Sequence, residues 1–381
     1  MEEYADYLAR GENPKKLQGF WFKKGERTMA RFYHSDLDSL PFPYYGPEDV
    51  FLIDNKKIRQ VDQNDIIKYL VHTYPTMIAR GCPMKCTFCS NNAEDNRRLR
   101  IRSVDNVISE IEHIKNQFGM PHQVMFRDDT VMSLRMEYLQ EFVSEWKKRV
   151  NIPFTSSGVI PNAVNEEKFK LLLSGGFQFV KMGIQSGSPY VRNVIYKRPE
   201  TDKQILKAAD IFNRSKISKL GYMFITDNPW EKDKDIVTSL RFISKLPRPF
   251  TLSIYSLNLY PGTELFYRGV REGSIKDPYE WYNKSTMTLK ETYFNMLYMM
   301  QRNLEVPYWL IWLLTIRSIY KNRIYQYVFK KFYSWYFRNL TEFGIDRRPH
   351  KKETKLHKIL NLFFKILNLR KVRNKLIRLF Q

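Results

Sequence analysis

Cysteine is nearly absent from this chain. Its 381 residues hold three, Cys82, Cys86 and Cys89, all inside the stretch "RGCPMKCTFC". An odd number leaves any disulfide scheme incomplete. The set is also one short of the four ligands of a closed zinc site or a filled iron–sulfur cluster. A secretory leader is missing too: the sequence opens "MEEYADYLAR", without a charged start, apolar middle and small-residue cleavage site. That predicts a cytoplasmic location, where structural disulfides are rare. The apolar run "VPYWLIWLLTI" (306–316) has eleven residues, whereas a bilayer span takes about 20. Internal repeats and low-complexity tracts are absent. Acidic residues are outnumbered, 40 Asp and Glu against 63 Lys and Arg, for a net charge of +23.

What is present begins with the cysteine spacing, Cys-x3-Cys-x2-Cys. It lets one loop wrap a metal centre. Gly81 relaxes the backbone on entry and Pro83 stiffens it inside. Zinc would need a fourth ligand, and the nearest histidine, His72, lies ten residues back on or before the strand that feeds the loop. Three inert buried cysteines fit poorly, because "PMK" and "TF" do not make a continuous apolar run. The remaining reading is a cubane of four irons and four sulfides held at three irons, with the fourth open to a chelating substrate.

Along the chain, short β-rich runs alternate with helical patterns. "TYPTMIA" (73–79) delivers the cysteine loop. In "SVDNVISEIEHIKNQFG", Ser103 is a cap, Val107, Ile108, Ile111, Ile114 and Phe118 share one face, and Gly119 is the stop. The strands "HQVMFRDD", "IPFTSSGV", "FQFVKMGIQ", "LGYMFIT" and "TLSIYSLNLY" follow, each trailed by a helical segment. Six strands alternating with helices predict an α/β fold: a parallel sheet with right-handed crossovers, as an open, three-quarter (β/α)6 TIM-like barrel. In such barrels chemistry sits at the carboxyl ends of the strands. The cysteines follow the first strand. The second ends at Asp128 and Asp129, the fourth at Gln185, Ser186, Gly187 and Ser188, the fifth at Asp227, Asn228, Pro229 and Glu231, and the sixth in "LYPGTEL". Each end also has a plain reading, as a helix cap or an ordinary turn. Their joint placement favours a ligand-lined rim.

The cysteine spacing, with Phe88 just before the last cysteine, resembles the cluster loop of the radical S-adenosylmethionine (radical SAM) enzymes. "RSVDNVI", "FRDDT", "MGIQSGS", "DNPWE" and "LYPGTEL" look like successive blocks of that superfamily's cobalamin-associated branch, and "DLDSLPFPYYG" (36–46) resembles its interdomain linker. The resemblance covers roughly residues 1–275. It implies a 4Fe-4S cluster on Cys82, Cys86 and Cys89, with S-adenosylmethionine chelated to the open iron. That cofactor would be cleaved reductively to a 5′-deoxyadenosyl radical, which abstracts hydrogen from an unactivated carbon. Methylation, rearrangement or coupling would follow. The resemblance further implies that Asp128 and Asp129 meet the amino group, Gln185 and Ser186 the ribose, and Asp227, Asn228 and Glu231 the adenine side. An electron donor of flavodoxin or ferredoxin type is implied as well. Two positions depart from the pattern. Many relatives have glutamate where this chain has Gln185, and glycine is common near Asp227.

A cobalamin-binding domain of the branch's usual length does not fit into the roughly 70 residues before the first barrel strand. The Asp-x-His-x-x-Gly motif is absent. The expected layout is a junction remnant at 1–70, a barrel core at 71–285 and a helical, basic extension at 286–381, with cobalamin, if used, supplied by a separate protein or a missing domain. Residues 347–381 carry twelve Lys and Arg against one Glu, beside a stripe of Leu356, Ile359, Leu360, Phe363 and Leu367. A solvated helix, an anionic membrane surface met through 306–381, and nucleic acid all remain open for it. The rival to the enzyme reading is a non-catalytic, metal-stabilised nucleic-acid-binding protein that uses this tail.

Overall fold

The computed structural model describes residues 8–13, 34–47, 50–54, 56–93, 98–275, 285–327 and 330–331. The basic stretch 347–381 lies outside them. The chain divides into two compact units, Met1–Pro41 and Phe42–Gln381. In the first, the Asp36 carboxylate accepts the Asp38 amide at 3.1 Å and shapes a short bend.

The second unit begins with an antiparallel hairpin, β1 (Phe51–Asp54) and β2 (Lys57–Gln60). Then come β3 (Tyr74–Thr76), β4 (Ala79–Arg80), β5 (Arg100–Ile101), β6 (Val124–Phe126), β7 (Phe154–Val159), β8 (Phe177–Gln185), β9 (Lys219–Thr226) and β10 (Thr251–Ser256). Six of them form one parallel sheet in the order β10-β9-β8-β7-β6-β3. The strand that feeds the cysteines is shorter than its apolar run suggests. It stops at Thr76, and Ala79–Arg80 leaves the sheet to pair antiparallel with β5. This small ribbon aims the cysteine loop at the carboxyl end of the sheet.

Between the strands lie α1 (Gln63–Leu70), α2 (Val104–Phe118), α3 (Met136–Glu145), α4 (Glu166–Ser174), α5 (Asp202–Arg214) and α6 (Asp233–Ile243), and α7 (Glu264–Arg271) follows β10. Local chemistry sets their ends. Ser103 accepts the Asn106 amide at 3.1 Å and starts α2, and the Gly119 amide returns to Lys115 at its close. Along α2, Val107, Ile108, Ile111 and Ile114 are fully buried, as a helical stripe against a sheet requires. Two more helices, α8 (Tyr293–Asn303) and α9 (Tyr308–Leu314), follow the last strand. They are not a loose appendage. Leu297, Tyr298 and Ile311 are buried within the same hydrophobic core as the sheet. Among the described residues, no helix is long and apolar enough to cross a membrane.

Candidate functional site

The cysteine loop runs from Gly81, in the left-handed region at φ 97°, through Cys82, Cys86 and Cys89. Gly81 is the residue type that tolerates that conformation. None of the three thiols is in a disulfide. Cys86 is buried, while Cys82 and Cys89 are partly exposed. Burial pushes the Cys82 thiol up to about 11, with the nearby Asp129 charge adding to it. Burial raises Cys86 as well, against the opposing pull of Arg198. Among the described residues, no group of three His, Cys, Asp or Glu side chains is arranged around a single metal ion.

The loop is clipped to the segment after β8. Thr87 donates its amide to Tyr196 O at 3.2 Å and its hydroxyl to Ile195 O at 2.6 Å. Phe88 packs edge-on against Tyr196, ring centres 5.0 Å apart. The Thr87 carbonyl accepts the Leu265 amide, so α7 holds the loop from its other side.

The strand-end residues divide by what their side chains already hold. Asp128 is 3% exposed and faces the feeding strand, where it accepts the Ile78 amide at 3.2 Å and the Ala79 amide at 2.6 Å. Burial lifts its carboxyl to about 6, although both amide bonds pull the other way. Gly158 on β7 lets this turn lie close: a Cβ there would come 1.7 Å from Asp128 O. Asp129 is half-buried, takes a side-chain hydrogen bond from Asn91 and lies near enough to Cys82 to affect its charge.

Gln185 ends β8 at φ 69°, after an irregular step in the pairing with β9. Its amide folds back over Gly183, where a Cβ would meet Nε2 at 2.6 Å. Ser186 is buried. Its hydroxyl pairs with Ser239 of α6 at 3.0 Å, and its carbonyl accepts Arg192 Nη1 at 2.9 Å. Gly187 sits against α6 so closely that a Cβ would lie 2.5 Å from Ser239 Cα. Ser188 donates to Asp235 at 2.8 Å.

Asp227, at φ 59°, accepts Ser256 Oγ at 2.7 Å, Asn295 Nδ2 at 2.7 Å and the Lys290 amide at 3.1 Å. It therefore ties β9 to β10 and α8. Asn228 donates to the Tyr196 hydroxyl at 3.2 Å and accepts the Trp230 amide at 3.0 Å. Glu231 keeps part of its surface exposed, but its Oε1 is buried without a hydrogen-bond partner. Burial, with Asp235 and Asp227 nearby, pushes its carboxyl up to about 8. The "YPGT" segment is a turn and a cap: Thr263 accepts the Phe266 amide at 3.2 Å and starts α7.

Three groups here carry no local sequence signal. Arg198 and Glu200 form a buried ion pair at 2.8 Å, and Arg198 Nη1 reaches Cys86 Sγ at 3.6 Å. Glu110 gathers Tyr74 at 2.6 Å, Thr76 at 3.1 Å and Arg102 at 2.5 Å under the feeding strand. Arg198 meets Cys86 across 112 positions, and Glu110 meets Tyr74 and Thr76 across 36 and 34. Only a hydrophilic residue inside an otherwise buried stripe, as Glu110 is on α2, would have pointed to one of them.

Residues 76–243 match the family model described as the Radical SAM superfamily. An uncharacterized methyltransferase of Pyrococcus horikoshii is 27% identical over 272 residues, 70% of this chain and 55% of that protein. The chain spans about half the length of the curated relatives it matches. Among solved structures, the cobalamin-dependent S-adenosylmethionine radical enzyme OxsB superposes with a TM-score of 0.55 at 13% identity, covering 97% of this chain and 58% of that one. The radical S-adenosylmethionine methyltransferase TsrM from Kitasatospora setae gives 0.54 at 14% identity, covering 71% and 52%. At such identities these two likenesses concern the fold.

Proposed function

We propose that this chain, whose residues 76–243 form a radical SAM domain, is a C–H-functionalising enzyme of methyltransferase type. Cys82, Cys86 and Cys89 would hold a 4Fe-4S cluster, and S-adenosylmethionine would lie along the strand ends. The observation that carries this reading is the place of the thiols: three cysteines on one loop, at the carboxyl end of the first strand of a six-stranded parallel sheet, inside the matched domain. When bound, the cluster and S-adenosylmethionine supply the electron and the 5′-deoxyadenosyl group for hydrogen abstraction. Soft thiolates suit iron–sulfur ligation. Burial disfavours bare thiolates here, so the sulfurs favour a cationic centre that offsets the loss of water.

The chain's own residues then orient and enclose. Thr87, Tyr196 and Leu265 fix the backbone of the loop that carries the thiols. Asp128 and Ser186 have their side chains occupied by the fold, and their part is to shape the rim. Asp129, Gln185 and Glu231 keep polar atoms for a ligand on the strand-two, ribose and adenine sides. Asp227 and Asn228 brace the adenine side. The high aromatic content, 15%, and the methyltransferase relative lean toward a hydrophobic methyl acceptor. Cobalamin would come from a separate protein or domain, and electrons from a flavodoxin- or ferredoxin-type donor. Near the last described residues, Ile324, Tyr325 and Tyr327 are exposed beside Lys321 and Arg323, which suits an anionic membrane surface.

Anaerobic reconstitution tests the reading. The expected result is about four irons per chain, lost on Cys-to-Ala change at 82, 86 or 89, with 5′-deoxyadenosine and methionine released under dithionite. A colourless protein with one bound zinc overturns it.

A further inference from the structure

We propose that Arg198 is a positioning residue that raises the reduction potential of the centre held by Cys86, and that Glu200 tempers this effect. The inference rests on the cluster reading above.

Arg198 and Cys86 are 112 positions apart in sequence, yet Arg198 Nη1 donates toward Cys86 Sγ at 3.6 Å. The contact is built into the fold. Arg198 is 4% exposed and Glu200 1%. Arg198 Nη2 is held by Gly183 O at 2.9 Å and by Glu200 Oε1 at 2.8 Å. Gly183 lies at the irregular step of β8, so the sheet itself sets where the guanidinium fork points. The segment that carries Arg198 is anchored in turn: its amide donates to Arg192 O at 2.8 Å, and Tyr196 grips the cysteine loop.

A guanidinium does not lose its proton in a protein. A permanent positive charge therefore stands against one ligand sulfur, away from water, where charge interactions are strong. Reduction brings one electron from an external low-potential donor and makes the centre one unit more negative. An N–H donor and a fixed cation stabilise that more negative form, and hydrogen bonds to the sulfurs and local charge both set the potential. Glu200 holds the neighbouring nitrogen, Nη2, and its charge acts on Cys86 in the opposite sense to Arg198 and more weakly. Arg198 Nε and Glu200 Oε2 are buried without partners. The pair is thus incompletely satisfied by its surroundings, which is costly for a purely structural brace.

The test compares the reconstituted parent with Arg198→Gln, Arg198→Lys and Glu200→Gln, titrated potentiometrically and followed by electron paramagnetic resonance without S-adenosylmethionine. Arg198→Gln is expected to lower the midpoint and Glu200→Gln to raise it. Each should change the reduced-to-oxidised ratio at fixed potential by about tenfold, or about 59 mV for one electron. Arg198→Lys keeps the charge and loses the fork, so it should fall between Arg198→Gln and the parent. If Arg198→Gln assembles no cluster, the other two variants decide by the signs of their shifts. Unmoved midpoints, or shifts of the same sign in Glu200→Gln and the arginine variants, overturn the proposal and leave Arg198 a brace. A parent without iron and sulfide refutes the function proposed above, and this inference with it.

Discussion

Asp128 accepts the backbone amide of Ala79 at 2.6 Å, so the end of one strand holds the peptide that launches the cysteine loop. The same carboxylate takes the Ile78 amide at 3.2 Å. Paired acidic residues at a strand end suggest a helix cap or a ligand contact. Here the first aspartate's carboxylate holds two backbone amides of the segment that leads to the thiols.

Changing Asp128 to Asn tests that role. An amide can accept only through its oxygen, so one of the two buried N–H groups would face a donor. The expected loss is about 1–3 kcal/mol, a fall of roughly 2–10 °C in the melting temperature of the cluster-free protein. Calorimetry measures it. Iron loading should fall too, because the loop loses its anchor. A melting temperature equal to the parent's would show that Asp128 is not a brace.

Glu231 should make stability depend on pH. Its folded carboxyl is raised to about 8 from an ordinary 4.5. The folded state therefore holds a proton that the unfolded state has given up. The stabilising contribution is full below about 4.5 and is lost as pH rises through about 8. Glu231→Gln stays neutral throughout. Its melting temperature should gain on the parent's as pH rises across that window, in scans of the cluster-free proteins. A parallel pair of curves would contradict the assignment.

Tyr196 separates ring packing from hydroxyl bonding. Tyr196→Phe keeps the edge-on contact with Phe88 and removes only the Asn228 partner, so iron content should match the parent's. Tyr196→Ala empties a fully buried ring site beside the cysteine loop. A loss of about 3–5 kcal/mol is expected, with less iron retained per chain. Equal iron in the Ala variant would mean that the loop stands without this support.

Gly187→Ala should disturb the turn after β8. The new methyl carbon would lie 2.5 Å from Ser239 Cα and 2.6 Å from Phe242 Cβ, and neither can swing away without moving α6. Overpacking of this kind costs about 1–3 kcal/mol. Urea unfolding of the variant should show a lower midpoint at unchanged slope.

Gln185→Ala addresses the ribose side. The cluster should assemble as in the parent while release of 5′-deoxyadenosine slows, through loss of cofactor positioning. Cleavage at the parent's rate would remove Gln185 from the site.

The sequence by itself determined the element order and the cysteine loop. Hydrophobic periodicity, Ser103 and Gly119 delimit α2, and six apolar runs separated by helical segments specify the parallel sheet. Such signals act over a few residues and are written in the residues themselves. It also determined that three thiols share one loop, because spacing is a chain property. Only the tertiary structure decided which strand-end groups remain free. Asp128 and Ala79 are 49 positions apart, Ser186 and Ser239 are 53 apart, and Asp227 and Asn295 are 68 apart. Whether a buried polar side chain meets a ligand or another part of the fold depends on which distant donor it must satisfy once water is excluded. Arg198 is the sharpest case. Nothing in "YKRPE" marks it, and its place beside Cys86 exists only because the bend after β8 and the loop after β3 are brought to one end of the same sheet.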